Sequence, residues 1–401
     1  MESKKKITVL SLEQALALPF ATQRMVQQGW RVIRVETPME EGGGNAGDPN
    51  RYIGTDLGFH DLHSYYIAPN IGKEAITINL KKKEGQELLL KIITALDVDV
   101  FMCNTLPKRY HQLGIDFETL RQAKPDLIWC GISAMGPEYP ERAGYDPALQ
   151  ALMGYTFLTG EPDGKPVPCG IPIIDLKSGD EAFTQVLLAM MEKKKEGKEI
   201  HISMAQCAAS WLITALPQLA FVKNEQELFT RSGSEHRSFI PCNIYPTKDG
   251  MVYLAIGNDL QWTKFSSQKG FEKLAQENRR TNAGRMIDKD LIYKEIEAHT
   301  KDYSTKEFVE LCLKINLSVS PVNSIKEVAS LDFISNELIK TTLPNGETVS
   351  LFPAASDTDF LTKNQNLLCC APRLGQHNKK VFSEAGYSQP DIESMQQSNL
   401  I

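Results

Sequence analysis

The chain has 401 residues, 42% of them hydrophobic and 23% charged. That is enough chain for two or three domains with large buried cores, and it excludes both a small stapled scaffold and a disordered polymer. Forty-four basic against 50 acidic side chains leave a formal net charge of -6, so no global field draws the chain onto nucleic acid or an anionic membrane, and an anionic ligand has to be met by a few placed cations.

The eight cysteines include no C-x-x-C pair and no Cys/His group at zinc spacing, which points to reduced thiols in a cytoplasmic protein and to no metal site. No apolar run reaches the length of a membrane span. The charged N-terminal residues lead into an apolar run broken by Glu13 and Gln14, unlike a signal peptide.

Residues 7–12 read as a buried strand, 19–28 as a helix entered through Pro19, and 31–35 as a second strand after Gly29. Residues 75–80 form another strand, and Leu88, Leu89, Ile92, Ile93 and Leu96 share one face of a helix over 83–97. Strands follow at 98–102 and 126–132. This alternation implies a doubly wound, parallel α/β domain. A stripe of Phe183, Val186, Leu187, Met190 and Met191 marks a further helix, the charged tract 192–199 a solvated connection, and 200–204 a buried strand. Beyond residue 225 the texture changes. Residues 243–250 and 251–256 read as two strands joined by a Lys-Asp-Gly turn, with helices to about 315, so a smaller α+β domain is expected over about 225–330.

Several motifs carry less than they first suggest. Gly42 to Gly47 satisfies G-x-G-x-x-G, but it follows the second strand and runs into Asp48-Pro49 rather than a helix, so a flexible polar loop is the better reading than a dinucleotide site. The segment from Gly131 to Gly136 is one residue too long for a G-x-S-x-G elbow. His60 and His63 could share a helix face beside Asp61, but no third ligand accompanies them, and His201 reads as a satisfied imidazole in an apolar strand. Asp175 is more informative. It follows the apolar run 171–174 and opens the helix of the 183–191 stripe. It reads either as an N-cap or as a carboxylate that helix amides and dipole keep ionised for attack on an acyl carbon.

Val9 to Leu12 with Pro19, Gly29 to Pro38, Gly47-Asp48-Pro-Asn-Arg51, Asn70-Ile-Gly-Lys73, Leu113 to Glu118, Gly144-Tyr145-Asp146 through Gly154 and Asp175 to Gly179 together resemble the family III CoA-transferases, the CaiB/BaiF type. Ser320 to Glu327 and Ala371 to His377 extend the resemblance toward the C-terminus. It implies an α/β fold with a Rossmann-like large domain and a smaller α+β inserted domain, in an interlocked homodimer or a heterodimer with a paralogue. The large CoA-binding domain would take residues 1–205, a connection 206–224, the small domain 225–330, and a return segment 331–401 would complete the large one.

The resemblance further implies a transferase moving CoA from an acyl-CoA donor, succinyl-CoA among the candidates, to a carboxylic acid. No cofactor is held permanently; the CoA thioester is a substrate. Asp175 would be the nucleophile. Tyr145 would lie near the thioester, and Ala17, Lys73, Ile78, Lys81, Asn104 and Met204 fall where the family contacts CoA, the lysines suited to its phosphates. Segment 231–235 would close over the site, with His236 and Arg237 as cations for a second carboxylate. Leu16, Thr37 and Gln112 stand where relatives carry glutamine, arginine and arginine, with Gln14, Lys108 and Arg109 close by.

Two alternatives stand beside this reading. Racemases of the same superfamily use a histidine where Tyr145 stands, and a phenol with a pKa of about 10 is a poor base at neutral pH. A non-catalytic CoA-binding subunit would not require Asp175.

Overall fold

Alternating apolar strands and amphipathic helices build a parallel sheet in the computed structural model, which describes residues 6–38, 45–192, 196–221 and 229–401. Part of the glycine run at 42–47, part of the charged tract 192–199, and the ends of the expected connection and small domain near 222–228 lie outside the described residues. The sheet contains β1 (Thr8–Leu12), β2 (Arg31–Glu36), β3 (Glu74–Thr77), β4 (Val100–Cys103), β5 (Ile128–Ser133) and β6 (Lys198–Ser203), numbered in chain order among the strands discussed. Its spatial order is β3-β2-β1-β4-β5-β6, all parallel. The chain therefore winds outward from β1 in one direction and returns to wind outward in the other. The reversal falls between β1 and β4, where open α/β sheets leave a crevice beyond the strands' carboxyl ends.

Helices α1 (Ala17–Gln27), α2 (Lys83–Ala95), α3 (Phe117–Ala123), α4 (Asp146–Leu152), α5 (Ile173–Met191) and α6 (Met204–Trp211) surround this sheet. The expected stripe on α2 is buried against Ile33, Val35, Ile76, Phe101 and Trp129. Helix α5 lies along α1 at close range because residue 179 is glycine: a Cβ there would stand 2.6 Å from the Ala17 carbonyl oxygen.

Some strand limits moved for local reasons. Asn79 leaves β3 because its N–H donates to the Leu400 carbonyl at 2.8 Å, and Val98 is not yet in β4 because its N–H closes α2 on Ile93 at 3.0 Å. His201 is exposed on the edge strand β6 and faces Glu199, correcting the expectation of a buried imidazole. His60 and His63 belong to a small hairpin, Asp56–Phe59 with Leu62–His63, rather than to a helix.

Contacts divide the chain into two compact units. One comprises residues 1–153, 169–216 and 332–401; the other comprises 154–168 and 217–331. In the first, the C-terminal segment seals the edge of the sheet. The Thr77 N–H donates to the Asn378 side chain at 2.9 Å, and the His377 N–H donates to the Ala75 carbonyl at 2.9 Å.

The second unit has an antiparallel sheet of β7 (Cys242–Pro246), β8 (Met251–Ala255) and β9 (Ser318–Pro321), ordered β9-β8-β7. Its core gathers Trp262, Phe265, Phe271, Ile292, Ile296 and Phe308. Within it, the Gly233 N–H donates to the Gly160 carbonyl at 3.0 Å, and Arg231 donates to the carbonyls of Phe157 and Glu161. Arg237 donates to the Thr230 carbonyl, while His236 lies against Phe239.

Candidate active site

The carboxyl ends of β1, β2, β3 and β4 converge on a cleft of about 200 Å³ lined by Gln14, Thr37, Ile78, Lys81, Asn104 and Arg109, among others. Asn104 ends β4 and clasps the turn after β1: its amide donates to the Gln14 carbonyl at 2.7 Å and its oxygen accepts from the Gln14 N–H at 3.1 Å. The next residue, Ala15, has φ +61, a backbone state that costs an L-residue roughly 1–2 kcal/mol. Asp48 and Asn50 hold it there, accepting from the Ala15 N–H at 3.1 Å and donating to its carbonyl at 2.8 Å.

Beneath the cleft lies a buried charge cluster built from the motifs at 36, 48–51 and 70–73. Arg34, 0% exposed, meets Asp48 at 3.0 Å; Arg51 donates to Glu36 at 2.8 Å; Lys73 donates to Glu13 at 2.7 Å. Burial works against the charge on Glu36, but Arg34 and Arg51 outweigh it and hold that carboxyl down at about 2. Burial lowers Lys73 to about 8 in spite of Glu13. Lys73 is only 3% exposed, and its ammonium donates to Glu13, Asn70 and the Pro19 carbonyl. All three of its protons are used internally, which corrects the expectation that this lysine meets a phosphate: it holds the β1 turn in place.

Of the expected CoA contacts, Ile78, Lys81 and Asn104 come together in the cleft, joined by Gln14. Ala17 and Met204 do not line it. Ala17 opens α1 against Gly179 of α5, and Met204 opens α6, which also packs on α5. The turn from Gln14 to Ala17 thus runs from the cleft to the helix that carries Asp175.

Asp175 is not an N-cap. It is the third residue of α5, and the cap is supplied from elsewhere in the chain: Asp146 Oδ2 accepts from the N–H groups of Ile174 at 2.7 Å and Asp175 at 3.1 Å. Asp146 Oδ1 in turn accepts from Gln150 Nε2 at 2.5 Å, and Gln150 Oε1 accepts from the Cys169 N–H at 2.8 Å. The helix-end donors are therefore consumed by a different carboxylate, while among the described residues no group donates to the Asp175 side chain.

The electrostatic outcome is the opposite of the sequence expectation. Burial first, and then the negative charge of Asp146, push Asp175 from 3.8 up to about 7. Tyr65, half exposed, has its phenol raised by burial and by Asp175 and Asp146, so it belongs to the same neighbourhood. Tyr145 precedes Asp146 at the start of α4 and is 77% exposed. Sequence reasoning missed Tyr65 and the capping role of Asp146. The Gly-Tyr-Asp segment was visible, but no local pattern ties residue 146 to residue 174. Among the described residues no three His, Cys, Asp or Glu side chains gather as a metal site, and no helix is long and apolar enough to cross a membrane.

A doubly wound α/β unit with a cleft at its strand reversal and a partly buried carboxylate on a neighbouring helix defines a class able to bind an anionic carrier and take part in acyl transfer. The chain belongs to CoA-transferase family III, whose model matches residues 5–378, and it is a CoA-transferase. It is 28% identical over 387 residues to a succinate–glutarate CoA-transferase of Agrobacterium fabrum, covering 94% of each chain. It is 27% identical to the human succinyl-CoA:glutarate CoA-transferase, covering 94% of this chain and 85% of the human one. Among solved structures, it matches a CaiB/BaiF family protein from Brucella suis with a TM-score of 0.80 and 28% identity, over 94% of this chain and 98% of that one.

Proposed function

We propose that this enzyme moves CoA from an acyl-CoA donor, with succinyl-CoA the first candidate, to a dicarboxylic acid such as glutarate, and that Asp175 is the nucleophile. The observation that supports this most directly is the state of the Asp175 carboxylate: burial and Asp146 leave it short of solvation, which favours its reaction with an acyl carbon. The relatives' names support the choice of donor and acceptor.

In the proposed sequence, an Asp175 carboxylate oxygen forms a bond to the thioester carbon and the C–S bond breaks, giving a mixed anhydride and CoA thiolate. The thiolate then attacks the aspartyl carbonyl of that anhydride, releasing the donor acid and leaving an aspartyl-CoA thioester. The acceptor carboxylate attacks this thioester, expelling the thiolate and forming a second anhydride. Finally the thiolate takes the acceptor acyl group and frees Asp175. Each step exchanges one activated acyl group for another, so no other reactant is consumed as long as water is kept out.

The same reading takes the enzyme as a cytoplasmic, interlocked homodimer with the cleft as its CoA site. Incubating the enzyme with succinyl-CoA and hydroxylamine should leave a hydroxamate on Asp175, located by mass spectrometry. Asp175→Ala should bind CoA yet transfer none of it; wild-type turnover in that variant sinks the mechanism.

A further inference from the structure

Charge pairing decides what the cleft can attract. Glu13, Glu36 and Asp48 all reach its lining, but each is answered by a buried cation: Lys73 for Glu13, Arg51 for Glu36, Arg34 for Asp48. Opposite charges at contact distance cancel within a few ångströms, so these pairs project little field into the opening.

Arg109 is in a different position. It ends the short turn Pro107–Arg109, lines the cleft, is half-buried, and among the described residues has no ion pair or side-chain hydrogen bond. The turn beneath it is braced. Arg109 N–H donates to the Leu106 carbonyl at 2.9 Å and Ile115 N–H to the Tyr110 carbonyl at 3.0 Å. Gly114, at φ +64, ends the following helical turn. Its neighbours are otherwise engaged, since the Lys108 ammonium pairs with Glu141 and the Gln112 carbonyl accepts from Gln86 at 3.0 Å. The lining that Arg109 shares includes the neutral hydrogen-bonding side chains of Gln14, Thr37, Asn79, Asn104 and Thr105, together with a second cation, Lys81. A planar guanidinium in the lining of a polar, acid-neutralised cleft suits the oxygens of a phosphate ester.

We infer that Arg109 binds a phosphoryl group of the CoA ester and thereby sets donor affinity rather than the rate of acyl transfer. The inference rests on the cleft being the CoA site. CoA offers two sources of the same chemistry, its diphosphate and its ribose 3′-phosphate, and the test separates them.

CoA and 3′-dephospho-CoA would be titrated calorimetrically into wild type, Arg109→Gln and Arg109→Lys, alongside steady-state kinetics with succinyl-CoA and glutarate. Losing a charge-assisted contact should weaken CoA binding and raise the donor KM about tenfold or more, with kcat within about twofold. Arg109→Lys should recover part of the loss. If the Arg109→Gln defect disappears with 3′-dephospho-CoA, the 3′-phosphate is the partner; if it persists, the diphosphate is. Wild-type CoA affinity in Arg109→Gln, or a loss in kcat at unchanged KM, overturns the inference while leaving the transferase reading intact. A wild-type protein that binds no CoA overturns the assignment of the cleft as well.

Discussion

Replacing Asp175 by asparagine tests the electrostatics of the proposed nucleophile without any turnover. Burial and then Asp146 raise this carboxyl from 3.8 to about 7, so the folded chain holds the proton more tightly than the unfolded chain does. Below about pH 4 both states are protonated and nothing is lost. Between about pH 4 and 7 the unfolded chain releases its proton first, so stability falls as pH rises; above about pH 7 the penalty is complete. A displacement from 3.8 to about 7 corresponds to at most about 4 kcal/mol, and partial solvent access to Asp175 reduces the expected effect to about 2 kcal/mol. Asparagine keeps the size and abolishes the titration. Differential scanning calorimetry of wild type and Asp175→Asn should therefore show a melting difference that moves in favour of the variant by roughly 4 °C between pH 4.5 and pH 8. A difference independent of pH, or one that moves toward wild type as pH rises, refutes the placement of a penalised carboxylate at this position.

As the proposed nucleophile, the same group should also govern the rate. kcat/KM for the acyl-CoA should climb with pH along a limb centred near 7, where Asp175 ionises. Asp146→Asn should shift that limb to lower pH, because burial persists while the neighbouring charge is gone; rates measured from pH 5.5 to 8.5 in both proteins decide it, and an unmoved limb removes Asp146 as a cause. Lys73→Met leaves Glu13 buried without its ammonium and should cost about 3–5 kcal/mol, read as a lowered melting temperature. Adding Glu13→Gln should restore a large part of that loss, and failure of the second change to help would show that the pair is not the source.

The parallel α/β unit was legible because its signals are local and repeated. The Leu88 to Leu96 stripe, the apolar run before Glu13 and the turn at Gly29 each constrain the chain within a few residues. The Lys-Asp-Gly turn between β7 and β8 was read the same way, and Thr247 N–H does donate to the Gly250 carbonyl at 2.9 Å. The site was legible only as a set of positions. Lys73 looked like a phosphate ligand because nothing near it in sequence announces Glu13, which lies 60 residues away along the chain. His201 looked buried because Ile200 and Ile202 on either side of it are buried, and only the sheet order puts β6 at an edge where residue 201 meets solvent.

By itself, then, the amino-acid sequence determined the order of elements and the class of sheet, and it offered Asp175 as the candidate for acyl chemistry, since periodicity, turn residues and an ordered set of motifs are properties of neighbours along the chain. Which charges are spent and which remain free was decided only by the tertiary structure. It sent Lys73 inward and left Arg109 at the cleft, and it let Asp146 take the amides that Asp175 might have used. The reason is that the energy of a charge depends on its desolvation and on partners within a few ångströms, and those partners come from distant parts of the chain.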